Sequence, residues 1–379
     1  MPLDVAIVGA GPVGATLAAL LSGAALDVAV FEAREGPSAD ARTLALSHAS
    51  RERLEEAGAW PASRATPILS IHVSQRGGPG RTLIEAREQD VPALGYTIAY
   101  AALESALADR LRESAVAVNY ASACESIDVQ PGGVRLRFGG RDVEARLLVL
   151  ADGGANAQRI PGIAFAQKDY AQLAIVCKVR CDRPHGGRAY ERFTPRGPMA
   201  LLPVDERYAL VWTAPPAEAA RLLALDEAAF LRELQEQFGD RAGRFVAAGE
   251  RASFPLRLRT INTPVALRSA IIGNAAQALH PIAGQGLNLG LRDAAQLAAL
   301  VRATPREALG EARMLDAYRD SRRRDASRGI VLTDLLVSLF GDARRVPTWA
   351  RGLALTALDL VPPARRLFAE RMMHGAPTP

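Results

Sequence analysis

The sequence predicts an α/β fold in which a parallel-sheet domain is interrupted by a mixed or antiparallel sheet and followed by a helical C-terminus. Near the N-terminus, a glycine-rich turn joins a short apolar strand at residues 4–8 to a helix. Between residues 166 and 264 the pattern changes to short segments typical of antiparallel strands. A buried apolar strand at Ala270–Gly273 then returns to the first pattern. The second sheet is therefore predicted to be an insertion in the first domain.

Composition places the chain among globular proteins of two or three lobes. Its 379 residues are 49% hydrophobic and 23% charged, which excludes a disordered, collagen-like or fibrous chain. No apolar run approaches the roughly 18–20 residues of a membrane-spanning helix. The formal net charge of +5 does not indicate nucleic-acid binding, although it favours anionic ligands or an anionic membrane surface. Three cysteines (Cys124, Cys177 and Cys181) and an N-terminus without a basic stretch predict a cytoplasmic protein with reduced thiols.

The first strong motif is Gly9-Ala10-Gly11-Pro12-Val13-Gly14, which comes directly after the predicted strand Asp4–Val8. The predicted helix Ala15–Leu21 and a second strand, Val28–Phe31, follow it. A G-x-G-x-x-G match inside such a βαβ unit is typical of a Rossmann-like dinucleotide site. The alternative is a glycine turn in an ordinary α/β fold.

Each glycine of this motif has its own physical task. Gly9 allows a tight turn, Gly11 lets the backbone approach a pyrophosphate, and Gly14 lets the helix lie close to the strand. The start of the helix adds free N–H groups and a partial positive charge. Glu32, at the end of the second strand, is placed to accept a hydrogen bond from a ribose hydroxyl. Because FAD and NAD share an ADP half, the motif does not distinguish them.

Local patterns predict the remaining elements. Further helices are expected at residues 50–57, 103–111, 226–238 and 291–302. Further strands are expected at residues 68–75, 81–84, 116–120, 124–129, 134–138, 147–151, 173–179, 188–193, 200–203, 208–212 and 254–258. Asp152-Gly153 directly follows one of these strands, which favours a cofactor contact for Asp152 over a catalytic role.

A second glycine-bearing segment, Gly273–Gly290, follows the returning strand. Its Gly284-Gln285-Gly286 lies about ten residues beyond that strand, whereas a dinucleotide turn follows its strand directly. We interpret the segment as a long loop along an extended ligand, ending at a helix start. There the N–H groups of Gly286, Leu287 and Asn288 suit an anion or a polarised carbonyl.

Together, these motifs resemble the FAD-dependent aromatic hydroxylases. The resemblance is carried by Gly9–Gly14 with Glu32, by Asp152-Gly153 and by Gly273–Gly290. Within that family, the segments 40–46, 72–77, 187–194 and 273–293 are similar to the ubiquinone-biosynthesis branch. The resemblance implies FAD-binding segments at 1–75, 96–165 and 265–320, a substrate domain at 76–95 and 166–264, and a C-terminal helical segment at 321–379.

The resemblance also implies roles for individual residues. Residues implied to contact the FAD are Gly9, Gly11, Pro12, Val13, Gly14, Glu32, Arg42, Asp152, Gly153, Asn274, Pro281, Gly284, Gln285, Gly286, Leu287 and Asn288. Asn274 stands where many relatives have an aspartate, and Ala101-Ala102 stand where relatives often have polar residues that reach the ribityl chain. Residues implied near the reacting ring are Pro281, Gly286, Leu287 and His280. His280 is either a substrate or flavin contact or a structural hydrogen-bonding group.

The implied reaction is hydroxylation of the aromatic ring of a polyprenylated phenol in ubiquinone biosynthesis. It uses FAD, NAD(P)H as a transient co-substrate, and O₂, through a flavin hydroperoxide. A dehydrogenase or prenyl reductase on the same fold, or a non-catalytic nucleotide-binding component of a membrane-associated complex, are the alternatives. No general base is assigned. Cys177 and Cys181 lack the neighbours of a metal site, and no metal is expected.

The sequence does not determine what two further segments contact. The stretch Arg344–Met373 is both basic and apolar, which suits a peripheral membrane contact, a biosynthetic complex or a homo-oligomer, or packing on the protein's own core. Tyr190–Phe193 alternates as a strand, with one face toward the substrate pocket or in plain sheet packing.

Overall fold

The computed structural model describes residues 1–38, 40, 42–78, 80–278, 285–323, 352, 355–357 and 359–374. Its strands are β1 Leu3–Val8, β2 Val28–Phe31, β3 Thr43–Ser47, β4 Thr66–Ile68, β5 Ser70–Gln75, β6 Arg81–Glu85, β7 Gly95–Ala99, β8 Ala117–Asn119, β9 Cys124–Gln130, β10 Gly133–Phe138, β11 Arg141–Leu150, β12 Phe165–Cys181, β13 Arg188–Thr194, β14 Gly197–Val204, β15 Arg207–Ala214, β16 Phe245–Ala248, β17 Ala252–Ile261, β18 Val265–Ala266, β19 Ser269–Ile271 and β20 Gln277–Ala278.

Helices connect and cover these strands. They are α1 Pro12–Leu21, α2 His48–Glu56, α3 Tyr100–Arg112, α4 Pro216–Ala224, α5 Glu227–Phe238 and α6 Gln285–Ala303, with a helical stretch at 312–323 and a C-terminal helix at Pro362–His374. Short 3-10 turns lie at Ala62–Arg64, Ala86–Gln89, Ala157–Arg159, Asp240–Ala242, Gly273–Ala275 and Arg306–Ala308. No helix in these parts of the chain is both long and apolar enough to cross a membrane.

The first sheet has the order β18-β19-β11-β1-β2-β8, with β10 and β9 added beside β11. β1 pairs in parallel with both β11 and β2. Both faces of β1 are apolar: Val5 and Ile7 pack on the side of α1, α3 and α6, and Ala6 and Val8 pack on the other side. Burial of both faces explains why this strand is a continuous apolar run. The predicted βαβ unit at the N-terminus is confirmed.

The second sheet has the order β20-β17-β12-β15-β14-β13-β5-β6, with β16 also paired to β12. Helices α4 and α5 cover one face of its central strands. β5 pairs in parallel with β13, from Ser70 opposite Arg188 to Gln75 opposite Phe193. This strand lies inside the range 1–75 assigned to the first domain, so that boundary is corrected to precede Ser70. The rest of the domain division stays a prediction.

A third, small sheet, β3-β7-β4, joins the two larger ones. The Thr97 hydroxyl on β7 donates a hydrogen bond to the Pro203 carbonyl on β14. On its other side, β3 contacts the start of α6 through the side chain of Asn288. This sheet was not predicted, because its strands are short and its pairing partners are distant in sequence.

Two predicted elements are longer than expected. α6 runs over Gln285–Ala303, beyond the predicted 291–302, and it begins beside the helix start predicted at Gly286–Asn288. β12 runs over 17 residues instead of the predicted 173–179. It pairs with β17 over its first part and with β15 and β16 over its second part, so its length depends on long-range pairing.

The described part of the C-terminal segment packs on the second sheet of the same chain. Ala369 and Met373 lie against Ile84 and Leu94 in a small apolar cluster. Arg365 forms an ion pair with Glu88 at 3.0 Å. Of the predicted basic and apolar stretch, residues 344–351, 353, 354 and 358 lie outside the described residues. Packing on the protein's own core therefore accounts for one face of the C-terminal helix.

Candidate functional site

The turn between β1 and α1 contains two glycines that packing requires. Gly9 has a φ of +105°, and a Cβ there would lie 2.7 Å from the carbonyl carbon of Ala151. A Cβ on Gly14 would collide with the carbonyl oxygen of Gly9. Gly11 differs, because a Cβ there would meet only the Tyr100 hydroxyl, at 3.8 Å. The open side of the turn thus faces a cavity, and its closed side fixes the close approach of helix and strands.

The start of α1 presents its backbone to the same cavity. Gly11 is the N-cap residue, and no side chain among the described residues caps the helix. Pro12 at the first helical position has no N–H to satisfy. Gly11 and Pro12 both line the cavity. Uncapped N–H groups and the helix dipole make such a terminus suitable for an anionic group.

Glu32, at the end of β2, is held by a small charged network. Its carboxylate accepts hydrogen bonds from the Ala10 N–H at 2.7 Å and from the backbone N–H and Nε of Arg34 at 3.0 Å. Arg34 also donates to Glu104 on α3, at 3.1 Å. Burial opposes ionisation of Glu32, but the bonds from Arg34 and Ala10 outweigh it and lower the pKa of this carboxyl. Arg34 and Glu104 were missed by sequence reasoning, since no local motif marks them.

The Asp152 carboxylate closes its own turn. It accepts hydrogen bonds from the Gly154 N–H at 2.9 Å and from the Asn156 side chain at 2.7 Å. The carbonyl of Gly153 accepts from Arg259 on β17, which also donates to the carbonyl of Asn274 at 3.2 Å. Arg259 therefore joins two segments that were each predicted to contact the cofactor. Its position in an ordinary strand pattern offered no signal in the sequence.

The N-terminus of α6 lies beside that of α1. A Cβ on Gly290 would collide with Val13 of α1 at 2.6 Å, and a Cβ on Gly273 would lie 3.0 Å from the same side chain. A Cβ on Gly286 would lie 3.7 Å from the Asn274 side-chain oxygen. The two glycine-bearing stretches predicted to meet at one ligand are thus in adjacent positions.

Asn288 ties this helix start to the small sheet. Its Oδ1 accepts hydrogen bonds from the Ser47 N–H at 2.8 Å and the Ser50 hydroxyl at 2.7 Å, and its Nδ2 donates to the Ala45 carbonyl at 3.1 Å. Because the side chain is engaged in this way, Asn288 positions the backbone. Gly286 and Leu287 beside it line the cavity.

Arg42 lies at the mouth of the cavity beside the turn. Its guanidinium donates to the Asp40 carboxylate at 2.7 Å and stacks over the Tyr100 ring at 5.4 Å. The hydrogen bond that Arg42 donates to Asp40 raises the pKa of Arg42, which keeps it charged. Leu279, His280, Pro281 and Gly284 lie outside the described residues, as does the side chain of Gln285.

One cavity of about 1460 Å³ joins these features. The predicted cofactor residues that line it are Gly9, Gly11, Pro12, Val13, Glu32, Arg42, Asp152, Gly153, Asn274, Gly286, Leu287 and Asn288. Gly14 is absent from this lining because it packs against the turn itself. Gly11 and Gly286 therefore border a single continuous space, as one elongated ligand requires.

The same cavity continues over the face of the second sheet that α4 and α5 leave uncovered. Its walls there are mostly apolar, and they include Val73, Val176, Leu202, Val211, Leu355, Phe368 and Met372. The C-terminal helix and the residues before it close one side. The site thus has a polar half, lined by backbone and charged groups, and an apolar half.

Comparisons with known proteins agree with this geometry. Residues 2–331 match the family described as FAD binding domain, and the chain belongs to that family. It is 36% identical over 384 residues to the ubiquinone hydroxylase UbiL of Rhodospirillum rubrum, covering 98% of this chain and 89% of the relative. It is 31% identical over 316 residues to the 3-demethoxyubiquinol 3-hydroxylase of Escherichia coli, covering 77% and 78%. The resemblance inferred from the motifs is confirmed, and the chain is a flavin-dependent aromatic hydroxylase similar to the ubiquinone hydroxylases.

The fold has close counterparts among solved structures. The p-nitrophenol 4-monooxygenase PnpA of Pseudomonas putida aligns with a TM-score of 0.79 at 20% identity, over 100% of this chain and 99% of that one. At this identity the likeness concerns the fold. The predicted fold class, with its two large sheets and helical C-terminus, is confirmed.

Proposed function

We propose that the protein hydroxylates the aromatic ring of a polyprenylated phenol in ubiquinone biosynthesis, using FAD, NAD(P)H and O₂. The observation that carries the proposal is the single cavity with a polar half between Gly11 and Gly286 and an apolar half over the second sheet. A dinucleotide suits the first half, and a lipid-tailed ring suits the second. The names of the similar relatives point to the same substrate class.

The residues present fit FAD in their chemistry. The Gly9–Gly14 turn and the uncapped start of α1 would bind its pyrophosphate, and Glu32 would accept a hydrogen bond from the adenosine ribose. Arg42 would lie along the phosphates. The helix start at Gly286–Asn288 would stabilise negative charge at the ring edge. When bound, FAD supplies the transfer of electrons from NAD(P)H and the activation of O₂.

The chain's own residues then serve mainly to position the substrate and exclude water. The sheet wall at Val176 and Val211 and the C-terminal wall at Leu355 and Phe368 surround the apolar half. Exclusion of water protects a reactive oxygen species from unproductive decay. A prenyl tail in this chamber gains roughly 25 cal/mol for each Å² of apolar surface buried.

We also propose a peripheral contact of the C-terminal helix with a membrane. On this helix Leu367 is 48% exposed, and Arg366 and Arg371 are exposed as well. Leu360 and Val361, directly before the helix, are 73% and 47% exposed. Basic and apolar side chains together suit an anionic interface. Flotation with anionic lipid vesicles tests this contact, and Leu367→Glu should weaken it. Equal recovery of both proteins would count against it.

The reaction is tested on the purified, FAD-loaded protein with labelled O₂. With 2-prenyl-6-methoxyphenol, NAD(P)H oxidation should accelerate and one labelled oxygen atom should enter the ring. A dehydrogenase or reductase would turn over without incorporating the label, and a non-catalytic component would bind FAD without turnover. Failure of the protein to bind FAD at all would end the proposal. Loss of the protein from its host should cause a ring precursor that lacks one hydroxyl to accumulate.

A further inference from the structure

The carboxyl group of Glu191 lies on the apolar wall of the cavity. Side chains alternate along β13, so Tyr190 and Arg192 face α5, where they bond to the carbonyls of Arg241 and Gln237 at 3.0 and 3.3 Å. Ala189, Glu191 and Phe193 alternate with them and line the cavity, which Tyr190 also borders. The strand's alternation therefore directs Glu191 into the space assigned to the substrate.

The surroundings of Glu191 are apolar. Its partners across the neighbouring strands are Val73 on β5 and Ala200 on β14, both of which line the cavity. Within the described parts of the chain, its carboxyl has no hydrogen-bond or ion-pair partner. Burial raises the pKa of Glu191 to about 8, and no neighbouring charge contributes to that shift.

Other titratable or charged groups also line the apolar half of the cavity. They are Cys177 and Lys178 on β12, Tyr190 on β13, Arg207 on β15, Glu250 before β17 and Arg257 on β17. Lys178 is 3.9 Å from the Asp205 carboxylate. The strands next to β13 and the described C-terminal wall (Leu355, Phe368, Ala369, Met372 and Met373) add no charge to this lining.

A carboxyl group in apolar surroundings destabilises the protein unless a ligand forms a hydrogen bond with it. We propose that Glu191 accepts a hydrogen bond from the phenolic hydroxyl of the substrate and takes its proton during ring hydroxylation. This inference rests on the proposed function. In the step, the phenol O–H bond breaks, a carboxyl O–H bond forms and no electron is exchanged. The phenolate left behind is more electron-rich than the phenol, which favours attack by its ring carbon on an electrophilic oxygen.

The chemistry of the two groups suits such a transfer. A general base is most effective when its pKa is near the working pH and not far from that of the group it deprotonates. A phenol has an unperturbed pKa of about 10, and an ordinary exposed carboxyl is too weak a base for it. The apolar surroundings of Glu191 raise the pKa of its carboxyl toward that of the phenol.

The test compares Glu191→Gln, Glu191→Leu and a control, Glu206→Gln, in the FAD-loaded protein with 2-prenyl-6-methoxyphenol. Glu206 is exposed on the turn between β14 and β15, away from the cavity. Because an amide still accepts a hydrogen bond, Glu191→Gln should keep KM within about threefold while kcat falls roughly 10²-fold or more. For the natural protein we expect kcat to rise between about pH 7 and 9, and Glu191→Gln should lose this rise. Glu191→Leu should raise KM as well, and Glu206→Gln should change neither constant.

A purely structural role for Glu191 would leave the pH profile of kcat unmoved. Normal FAD absorbance in both Glu191 variants shows that they are folded. Retention of kcat and of its pH dependence in Glu191→Gln would overturn this inference and leave the hydroxylase proposal intact. If the natural protein binds FAD but hydroxylates no phenol, the proposed function itself fails. Binding of the same phenol, measured from the flavin spectrum, then decides the role of Glu191, and equal affinity of the natural protein and Glu191→Leu overturns it.

Discussion

The buried ion pair between Asp293 and Arg322 supports a quantitative prediction. Asp293, on α6, is fully buried, Arg322 is 3% exposed, and their side chains are 2.6 Å apart. Asp293 also accepts a hydrogen bond from the Gly273 N–H at 2.9 Å. One carboxylate thus connects three segments: the loop that follows β19, α6 and the helical stretch at 312–323.

Asp293→Asn should lower the free energy of unfolding by about 3–5 kcal/mol. The substitution keeps an oxygen for the Gly273 N–H but removes the negative charge that Asp293 places 2.6 Å from the buried Arg322 guanidinium. Removing both charges, in Asp293→Asn with Arg322→Met, should recover most of that loss, because no isolated charge then remains in the interior. The coupling free energy from the double-mutant cycle should therefore be at least about 2 kcal/mol.

Equilibrium unfolding in urea, followed by circular dichroism of the FAD-loaded protein, measures all four variants of the cycle. The ion pair between Arg319 and the exposed Asp316 is a matched surface control. Arg319→Met should lower the free energy of unfolding by less than about 1 kcal/mol. A loss below about 1 kcal/mol for Asp293→Asn, or a double variant whose loss equals the sum of the two single losses, would refute the reasoning.

Three further expectations concern the site and its walls. Gly14→Ala should reduce FAD retention on gel filtration, because the added Cβ collides with the turn. Glu191→Gln should match the natural protein in urea stability near pH 4.5 and exceed it increasingly toward pH 8, by up to about 1.4 kcal/mol per pH unit. The sign follows because burial raises the pKa of this carboxyl from 4.5 to about 8, so folding must keep it protonated over that range. Thr82→Val should loosen the C-terminal wall and increase protease cleavage there, because the hydroxyl donates to the Leu355 carbonyl at 2.8 Å.

Matched variants give each of these expectations a control. Gly23→Ala adds a Cβ that meets nothing within 4 Å, so it should retain FAD. Equal retention by Gly14→Ala would contradict the packing argument. A stability difference for Glu191→Gln that does not change with pH would show that the carboxyl is well solvated. Thr82→Ser keeps the hydroxyl and should resist the protease as the natural protein does. Equal resistance of Thr82→Val would show that the hydrogen bond to Leu355 does not hold the C-terminal wall in place.

Local sequence was sufficient for the N-terminal half of the site. Gly9, Gly11 and Gly14 lie within six residues of one another and between two apolar strands, so short-range geometry determines both the turn and the helix start that is predicted to bind an anion. Glu32 was predictable for the same reason, because it directly follows the second strand of this βαβ unit. The spacing of the segment before α6 already indicated a loop along an extended ligand, and the resemblance added the role of Asn274.

Tertiary structure decided the features that depend on residues far apart in sequence. Arg34 meets Glu104 across 70 positions, Arg259 meets Gly153 across 106, and β5 joins β13 in parallel, which moved a domain boundary. Glu191 was assigned to a strand from its pattern, but only the packing of β5, β14 and the C-terminal wall made its surroundings apolar. The physical reason is that a periodic pattern reports which face of an element is buried, whereas the partner on that face is chosen by long-range packing.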